Sequence, residues 1–320
     1  MDEKLITEEV LEEAETAFKS HFKPEARFER QVVFSTHHHI NPRERGQSTQ
    51  QSRVVKRATA SVLAESILCK TLGWDLLSKA NLSLYTFGEI VDLIREMSNA
   101  YEDKLWVDVG AVTKTELELL TPFVQGITAT IGSVNKDIQR RVSPNTPLTT
   151  YMSMFNEART MKHGMSITLG LGEKLDDMEE LARFIETHQI DRVLFRPFKP
   201  RRASRYFKEP SSFYCARWIA ETRIRFPKLT IVAGTNEHRV AETGLFLKAG
   251  ANTITNFPSI RLFNSEQARI IEEEIRNAGR VLKGTLTDMR VLNKVRESRM
   301  EDHIKEKLEK YIMAMSNASR

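Results

Sequence analysis

Apolar and polar positions alternate along the chain, with short aliphatic or β-branched runs between longer amphipathic stretches. Short apolar runs bounded by turn formers favour strands, and apolar residues at three-to-four spacing favour helices. The pattern predicts strands at 31–36, 105–109, 127–131, 165–172, 193–198, 229–234 and 252–257. A further strand, second in order, is predicted either at Trp74–Leu77 or at Leu82–Tyr85.

The intervening stretches are predicted to be helical, at 1–22, 52–71, 86–99, 149–162, 175–188, 212–225 and 237–250. Thr86 with Glu89, and Thr113 with Glu116, have capping-box spacing, in which each side chain bonds the other residue's backbone N–H. Residues 37–46, HHHINPRERG, are predicted to form a polar loop because proline and glycine break regular structure.

Strands that alternate with helices of this length predict parallel crossover units. Eight such units in about 250 residues match a TIM-type (β/α)8 barrel. We expect a single domain over 1–320, with an N-terminal helix within 1–24, a barrel core at 30–262 and a C-terminal helical extension at 264–320. An apolar stripe on that extension predicts either packing over the barrel bottom or a partner-binding helix; it comprises Ile304, Leu308, Ile312 and Met315.

Composition excludes several protein classes. With 40% hydrophobic and 28% charged residues, the chain is neither a disordered polymer nor a membrane bundle. An acidic helical start and the lack of a long apolar run predict no signal peptide, no membrane partner and a cytoplasmic location. The two cysteines, Cys69 and Cys215, exclude a disulfide framework and a cluster held by three or four thiolates.

Positive charge is concentrated in two segments. Residues 192–208 carry seven basic residues and no acidic one, although the net charge of the whole chain is only +5. The basic residues that follow the sixth and first strands are Arg196, Lys199, Arg201 and Arg202, and Arg43 and Arg45. Because barrel strands end at one rim, both clusters predict a positive rim for a phosphate or carboxylate ligand. The alternative is an ordinary solvated loop.

Three segments resemble the radical S-adenosylmethionine (SAM) superfamily, in particular its biotin-synthase-like branch. Met161–Pro200 contains a strand ending in GLGE, an acidic helix and a strand ending in a proline-containing loop. Leu229–Pro258 resembles the family's C-terminal segment, and Ile127–Pro144 resembles the segment at its fourth strand. The resemblance spans roughly residues 30 to 278 and implies the barrel fold of methylornithine synthase and the hydrogenase maturases.

The same resemblance implies reactive groups that this sequence lacks. The family holds a [4Fe–4S] cluster with CxxxCxxC after the first strand, whereas His37–Gly46 contains no cysteine. The family's paired glycines, its fourth-strand glutamate and its GGR arginine fall at Leu77–Ala80, Gly132 and Asn236. Because of these departures from the family's pattern, we expect that no cluster is bound, that SAM binding is doubtful and that the radical reaction does not occur.

Candidate site residues follow from both the residues and the resemblance. Gly170, Gly172 and Glu173 form the GLGE turn, which either approaches a ligand closely or is only a tight turn. His37 and His39 are weak candidates for a metal site or for catalysis, since alternate residues share a side. Glu237 and His238 are candidates for proton transfer, or they cap the next helix.

We expect a non-catalytic homologue that acts as a subunit, scaffold or small-ligand-binding protein without a cofactor. Its partner would be a second copy of the chain or an intact radical SAM protein. The alternative is an enzyme that uses the barrel cavity for metal- or acid/base-assisted, non-radical chemistry on an anionic substrate. Nucleic-acid binding is a weaker alternative, because only the basic segments support it.

Overall fold

The computed structural model describes residues 6–39, 52–80, 82–200, 209–296 and 300–317. In chain order the strands are β1 (Glu25–Val33), β2 (Ser35–His39), β3 (Ser52–Lys56), β4 (Asp75–Lys79), β5 (Leu105–Asp108), β6 (Val124–Thr130), β7 (Lys162–Leu169), β8 (Ile190–Pro197), β9 (Thr230–Gly234), β10 (Thr253–Thr255) and β11 (Val281–Lys283). Eight of them, β1 and β4 to β10, form a parallel barrel that closes through pairing of β10 with β1.

Helices surround this barrel. They are α1 (Glu8–Lys19), α2 (Thr59–Leu72), α3 (Phe87–Tyr101), α4 (Lys114–Leu120), α5 (Lys136–Val142), α6 (Leu148–Glu157), α7 (Met178–Thr187), α8 (Ser212–Arg225), α9 (Thr243–Lys248), α10 (Glu266–Asn277), α11 (Met289–Arg296) and α12 (Asp302–Asn317). The main apolar core lies between these helices and the outer face of the barrel. Among the described helices, none has both the length and the apolar composition that crossing a membrane requires.

The predicted helix starts are well reproduced where caps are visible in the sequence. Both capping boxes are present, with Glu89 N–H donating to Thr86 Oγ1 at 3.3 Å and Glu116 N–H donating to Thr113 Oγ1 at 3.4 Å. Helix α8 has the predicted bounds. Helix α5 is not predicted by the apolar pattern, and it begins where Asn135 Oδ1 accepts from the Asp137 N–H at 3.0 Å.

The region after β1 differs from the prediction. Residues 37–39 were expected in a loop and 52–56 in a helix, but residues 35–39 and 52–56 form the antiparallel pair β2–β3. Val54 and Val55 favour a strand when a partner is present. Helix α2 begins only at Thr59. The second barrel strand is Asp75–Lys79, so the alternative at Leu82–Tyr85 is wrong.

The apolar stripe of the C-terminal extension packs inside the chain. Leu308, Ile312 and Met315 are buried, and α12 contacts α2 rather than solvent. Tyr311 on the same helix lies with its hydroxyl 2.6 Å from Ser61 Oγ, and it accepts from the Arg57 guanidinium at 2.7 Å. The stripe therefore packs within the chain, as expected, but it covers helix α2 rather than the barrel bottom, so that part of the prediction is wrong.

Candidate functional site

The inside of the barrel is charged. Arg192 on β8 forms an ion pair with Glu29 on β1, although β9 and β10 separate these strands in the sheet. The Arg192 guanidinium also lies 5.1 Å from the ring centre of Trp106 on β5. Contacts between strands that are not neighbours cross the interior. Bulky aliphatic side chains fill most such interiors, so this polar lumen is unusual.

Trp106 fits only because two neighbouring strand positions are glycine. A Cβ on Gly126 would overlap the indole ring, and one on Gly164 would lie 2.9 Å from it and 2.8 Å from Thr128 Oγ1. Three buried oxygens on the barrel strands have no hydrogen-bond partner among the described residues; they are Glu29 Oε1, Thr128 Oγ1 and Ser166 Oγ. Buried polar groups are usually satisfied by protein, water or a ligand.

A hydrogen-bonded cluster lies at the carboxyl ends of three adjacent strands. Lys79 Nζ is 2.7 Å from Asp108 Oδ2, and Thr130 Oγ1 donates to the same oxygen at 2.5 Å. Lys79 and Asp108 are paired in register at the ends of β4 and β5. The Asp108 side chain is 7% exposed and that of Lys79 is 20% exposed. This group is called the mouth cluster below.

Arg196 lies near the end of β8 and differs from the other charged groups of the barrel. Its Nε is buried without a hydrogen-bond partner, and it forms no ion pair with any residue in the described ranges. Burial lowers the pKa of Arg196, while the negative charge of Asp108 opposes that effect. An arginine remains cationic under these conditions, so the mouth holds a positive charge with no contacting carboxylate.

The predicted GLGE turn is closed by its own glutamate. The N–H groups of Gly170 and Leu171 donate to the two carboxylate oxygens of Glu173 at 2.5 and 2.8 Å. Gly170 and Gly172 have φ of 98° and 103°, in the region that favours glycine. The turn's amides are thus engaged within the turn, and this geometry accounts for the two glycines without a ligand.

Glu237 and His238 lie together after β9, as predicted. His238 Nε2 is 3.4 Å from one oxygen of Glu237, and Arg261 forms an ion pair with the other. The His238 side chain is 73% exposed. Among these three residues, the carboxylate is already neutralised by an arginine, so the pair is a surface ion-pair group in this structure.

The remaining predicted residues are placed only in part. Lys199 is exposed after β8, while Arg43, Arg45, Arg201 and Arg202 lie outside the described residues. The backbones of His37 and His39 lie on β2 opposite Val54 and Ser52, which places both residues on one face of that strand. Over the described parts of the chain no group of three His, Cys, Asp or Glu side chains is arranged to hold a metal ion.

The thiols of the chain do not fit an iron–sulfur cluster. Cys69 lies on α2 and Cys215 on α8, and both are buried. Burial raises the pKa of Cys215 to about 12 and that of Cys69 well above its usual value, so both stay protonated. A [4Fe–4S] cluster needs clustered thiolates. The donor set therefore disagrees with the cofactor that the sequence resemblance implies.

The mouth cluster itself was only partly visible in the sequence. Asp108 stands out as an acid at a strand end, but Lys79 and Thr130 do not, because their meeting depends on strand register. Lys79 falls in the segment that the family comparison aligns with a glycine pair.

Comparison with known proteins agrees with the fold. The uncharacterized protein MJ0597 of Methanocaldococcus jannaschii is 30% identical over 304 residues, covering 91% of this chain and 84% of its own. Searching protein family profiles gives no match.

Solved structures show the same architecture. Methylornithine synthase (PylB) superposes with a TM-score of 0.69 at 15% identity, covering 91% of this chain and 93% of that chain. The FeFe-hydrogenase maturase HydG from Carboxydothermus hydrogenoformans superposes with a TM-score of 0.67 at 14% identity, covering 96% and 83%. At these identities the likeness concerns the fold alone. It confirms the predicted (β/α)8 barrel.

Proposed function

The chain belongs to the same family as the uncharacterized protein MJ0597 of Methanocaldococcus jannaschii, and from this premise we propose that it is a small-anion-binding barrel without radical SAM activity. The observation that carries the proposal is Arg196, a half-buried cation at the barrel mouth whose Nε is buried without a hydrogen-bond partner and which contacts no carboxylate in the described ranges. Arginine forms bidentate hydrogen bonds with carboxylate and phosphate groups.

The neighbouring groups support an anion at this position. Asp108 is occupied by Lys79 and Thr130, so its charge is balanced within the mouth cluster. Arg196 contacts no carboxylate of the described residues, and its partial burial favours a bound anion over water. Ligands of (β/α)8 barrels bind where the strands end, and this is where the mouth cluster and Arg196 lie.

The absence of the radical reaction is proposed from the cysteine content. A cluster of the family type needs three thiolates close together, and the sequence offers two cysteines on separate helices. Without a cluster there is no internal source of the electron for reductive cleavage of SAM.

Anion binding is tested by thermal shift and calorimetry with citrate and inorganic phosphate as probes. We expect at least one probe to stabilise the wild-type protein, and Arg196→Met to weaken its binding by roughly tenfold to a hundredfold, the loss of a hydrogen bond to a charged group. Lys136→Met, which removes an exposed cation at the start of α5, is the matched control and keeps wild-type affinity. Equal binding by both variants, or no binding by wild type, contradicts the proposal.

Acid/base catalysis at the same mouth is a second candidate, favoured by the contact between Lys79 and Asp108. A carboxylate and an ammonium group at a barrel mouth can exchange protons with a bound substrate. Incubation of the bound ligand with the protein, followed by NMR, tests this candidate. Chemical conversion that Asp108→Asn abolishes while binding persists supports it, and an unchanged ligand contradicts it.

A further inference from the structure

A large cleft opens at the end of the barrel opposite the mouth, where β6, β7 and β8 begin and α6 and α7 end. Its volume is about 790 Å³. Small-molecule sites typically have volumes of about 300–1,000 Å³. None of the mouth residues and none of the predicted site residues lies in this cleft, so it is independent of the proposed function.

The lining of this cleft is positively charged. Lys104, Arg159 and Lys162 line it, and none of the three forms an ion pair with a carboxylate of the described residues. Asp191 is the single acidic lining residue, and its Oδ2 already accepts from the His163 N–H at 2.8 Å. With neutral histidines, three cations and one carboxylate leave a net charge of +2 around the cleft.

Two carbonyl groups that follow helices α6 and α7 contact one imidazole beside the cleft. The C-terminal carbonyl groups of a helix carry partial negative charge. Here the carbonyl oxygens of Ala158 and His188, which follow α6 and α7, lie 3.1 and 2.7 Å from the two ring nitrogens of His163. A neutral imidazole donates to only one of these two oxygens, and the three cations are the charged groups that attract an anion to the cleft.

The floor of the cleft is aromatic and preformed. Phe155 is buried, and its ring packs against His163 and His188 with centroids 5.0 and 6.0 Å apart. Burial and the neighbouring His163 lower the pKa of His188. A buried aromatic floor with charged groups at its edge suits a ligand with a compact organic part and an anionic group.

We propose that this cleft binds the phosphate group of a small organic phosphate. The guanidinium of Arg159 provides a planar fork of N–H donors, and the two lysines provide mobile ammonium groups. Arginine and lysine are the side chains that commonly bind phosphate groups in proteins. The anion faces Arg159 and Lys162, and the organic part lies over the floor formed by Phe155. The site is separate from the barrel mouth and does not require Arg196.

Adenosine monophosphate is the probe, with calorimetry at low salt as the measurement. We expect it to bind wild-type protein and to bind the double variant Arg159→Glu, Lys162→Glu at least about tenfold more weakly, since like charges now face the phosphate. The control double variant Lys248→Glu, Lys305→Glu changes the net charge equally at exposed positions on α9 and α12, and it keeps wild-type affinity.

Further arms separate the alternatives. The double variant Lys104→Ala, Arg159→Ala removes charge without reversing it. Weaker binding in this milder variant shows that the loss of affinity in the charge-reversal variant does not come from misfolding. Binding that is lost in Arg196→Met but kept in the cleft variants overturns the proposal, as does absence of binding by wild type. If citrate displaces adenosine monophosphate equally well and depends on the same residues, the proposal that the cleft binds a phosphate group is overturned.

Discussion

Charged side chains inside the barrel differ in whether they contact a group of opposite charge. At the mouth, Asp108 is neutralised by contact and Arg196 is not. At the other end of the lumen, Arg27 Nε donates to both oxygens of Asp75 at 3.0 Å, while Glu29 is paired with Arg192. The lower charges are therefore paired with one another, although Glu29 Oε1 lacks a hydrogen-bond partner, whereas Arg196 has no paired carboxylate among the described residues.

The ionisation of Asp75 makes the free energy of unfolding depend on pH. Burial raises the pKa of Asp75 to about 6, with a further increase from Glu29, while Arg27 and Arg192 act in the opposite direction. In the unfolded chain the pKa of an aspartate carboxyl is about 4. The folded state therefore binds the Asp75 proton more tightly, so the free energy of unfolding falls as pH rises through the window from about 4 to 6.

We expect Asp75→Asn to remove this part of the pH dependence. Urea unfolding of wild type and variant across the same pH range gives the test, and Asp103→Asn, which changes an exposed acid lining the same surface pocket as Asp75, is the control that keeps the wild-type slope. The slope is compared rather than the absolute stability, because the variant also loses the ion pair with Arg27. An unchanged slope in Asp75→Asn contradicts the assignment.

At the scale of elements, helix starts follow from local chemistry and strand pairing does not. The box of Thr86 and Glu89 at α3 is readable because cap and partner are three residues apart. The β2–β3 pair cannot be predicted in this way, because residues 40–51 separate its two strands in the sequence and each strand depends on the other for pairing. The histidines of β2, taken alone, are typical of a loop. The contact of Lys79 with Asp108 is missed for the same reason, since it depends on register between strands.

Helix α3 offers a direct test of the cap. Thr86→Ala removes the acceptor of the Glu89 N–H, and we expect the free energy of unfolding to fall by about 1 kcal/mol. Thr86→Ser keeps the hydroxyl and stays within a few tenths of a kcal/mol of wild type, roughly the spread of good caps. Chemical denaturation measures both variants, and equal losses in the two would show that the hydroxyl bond is not the cause.

The whole molecule combines a (β/α)8 barrel, superposable on methylornithine synthase and HydG, with two cysteines that cannot supply the three thiolates of a [4Fe–4S] cluster. The alternation of strands and helices, together with the three family-like segments, predicts this fold, and solved structures with TM-scores of 0.69 and 0.67 confirm it. The sequence resemblance describes the scaffold, whereas the polar lumen, Arg196 and the opposite cleft depend on side chains brought together by the closed barrel. No pattern along the chain places those groups in contact.

Anaerobic reconstitution with iron and sulfide, followed by visible spectroscopy and an assay for SAM cleavage, tests the central claim most directly. The account predicts no stoichiometric cluster absorption and no formation of 5′-deoxyadenosine under reducing conditions, because only two buried thiols on separate helices are present. A cluster bound at one per chain, with SAM cleaved under reduction, would contradict it.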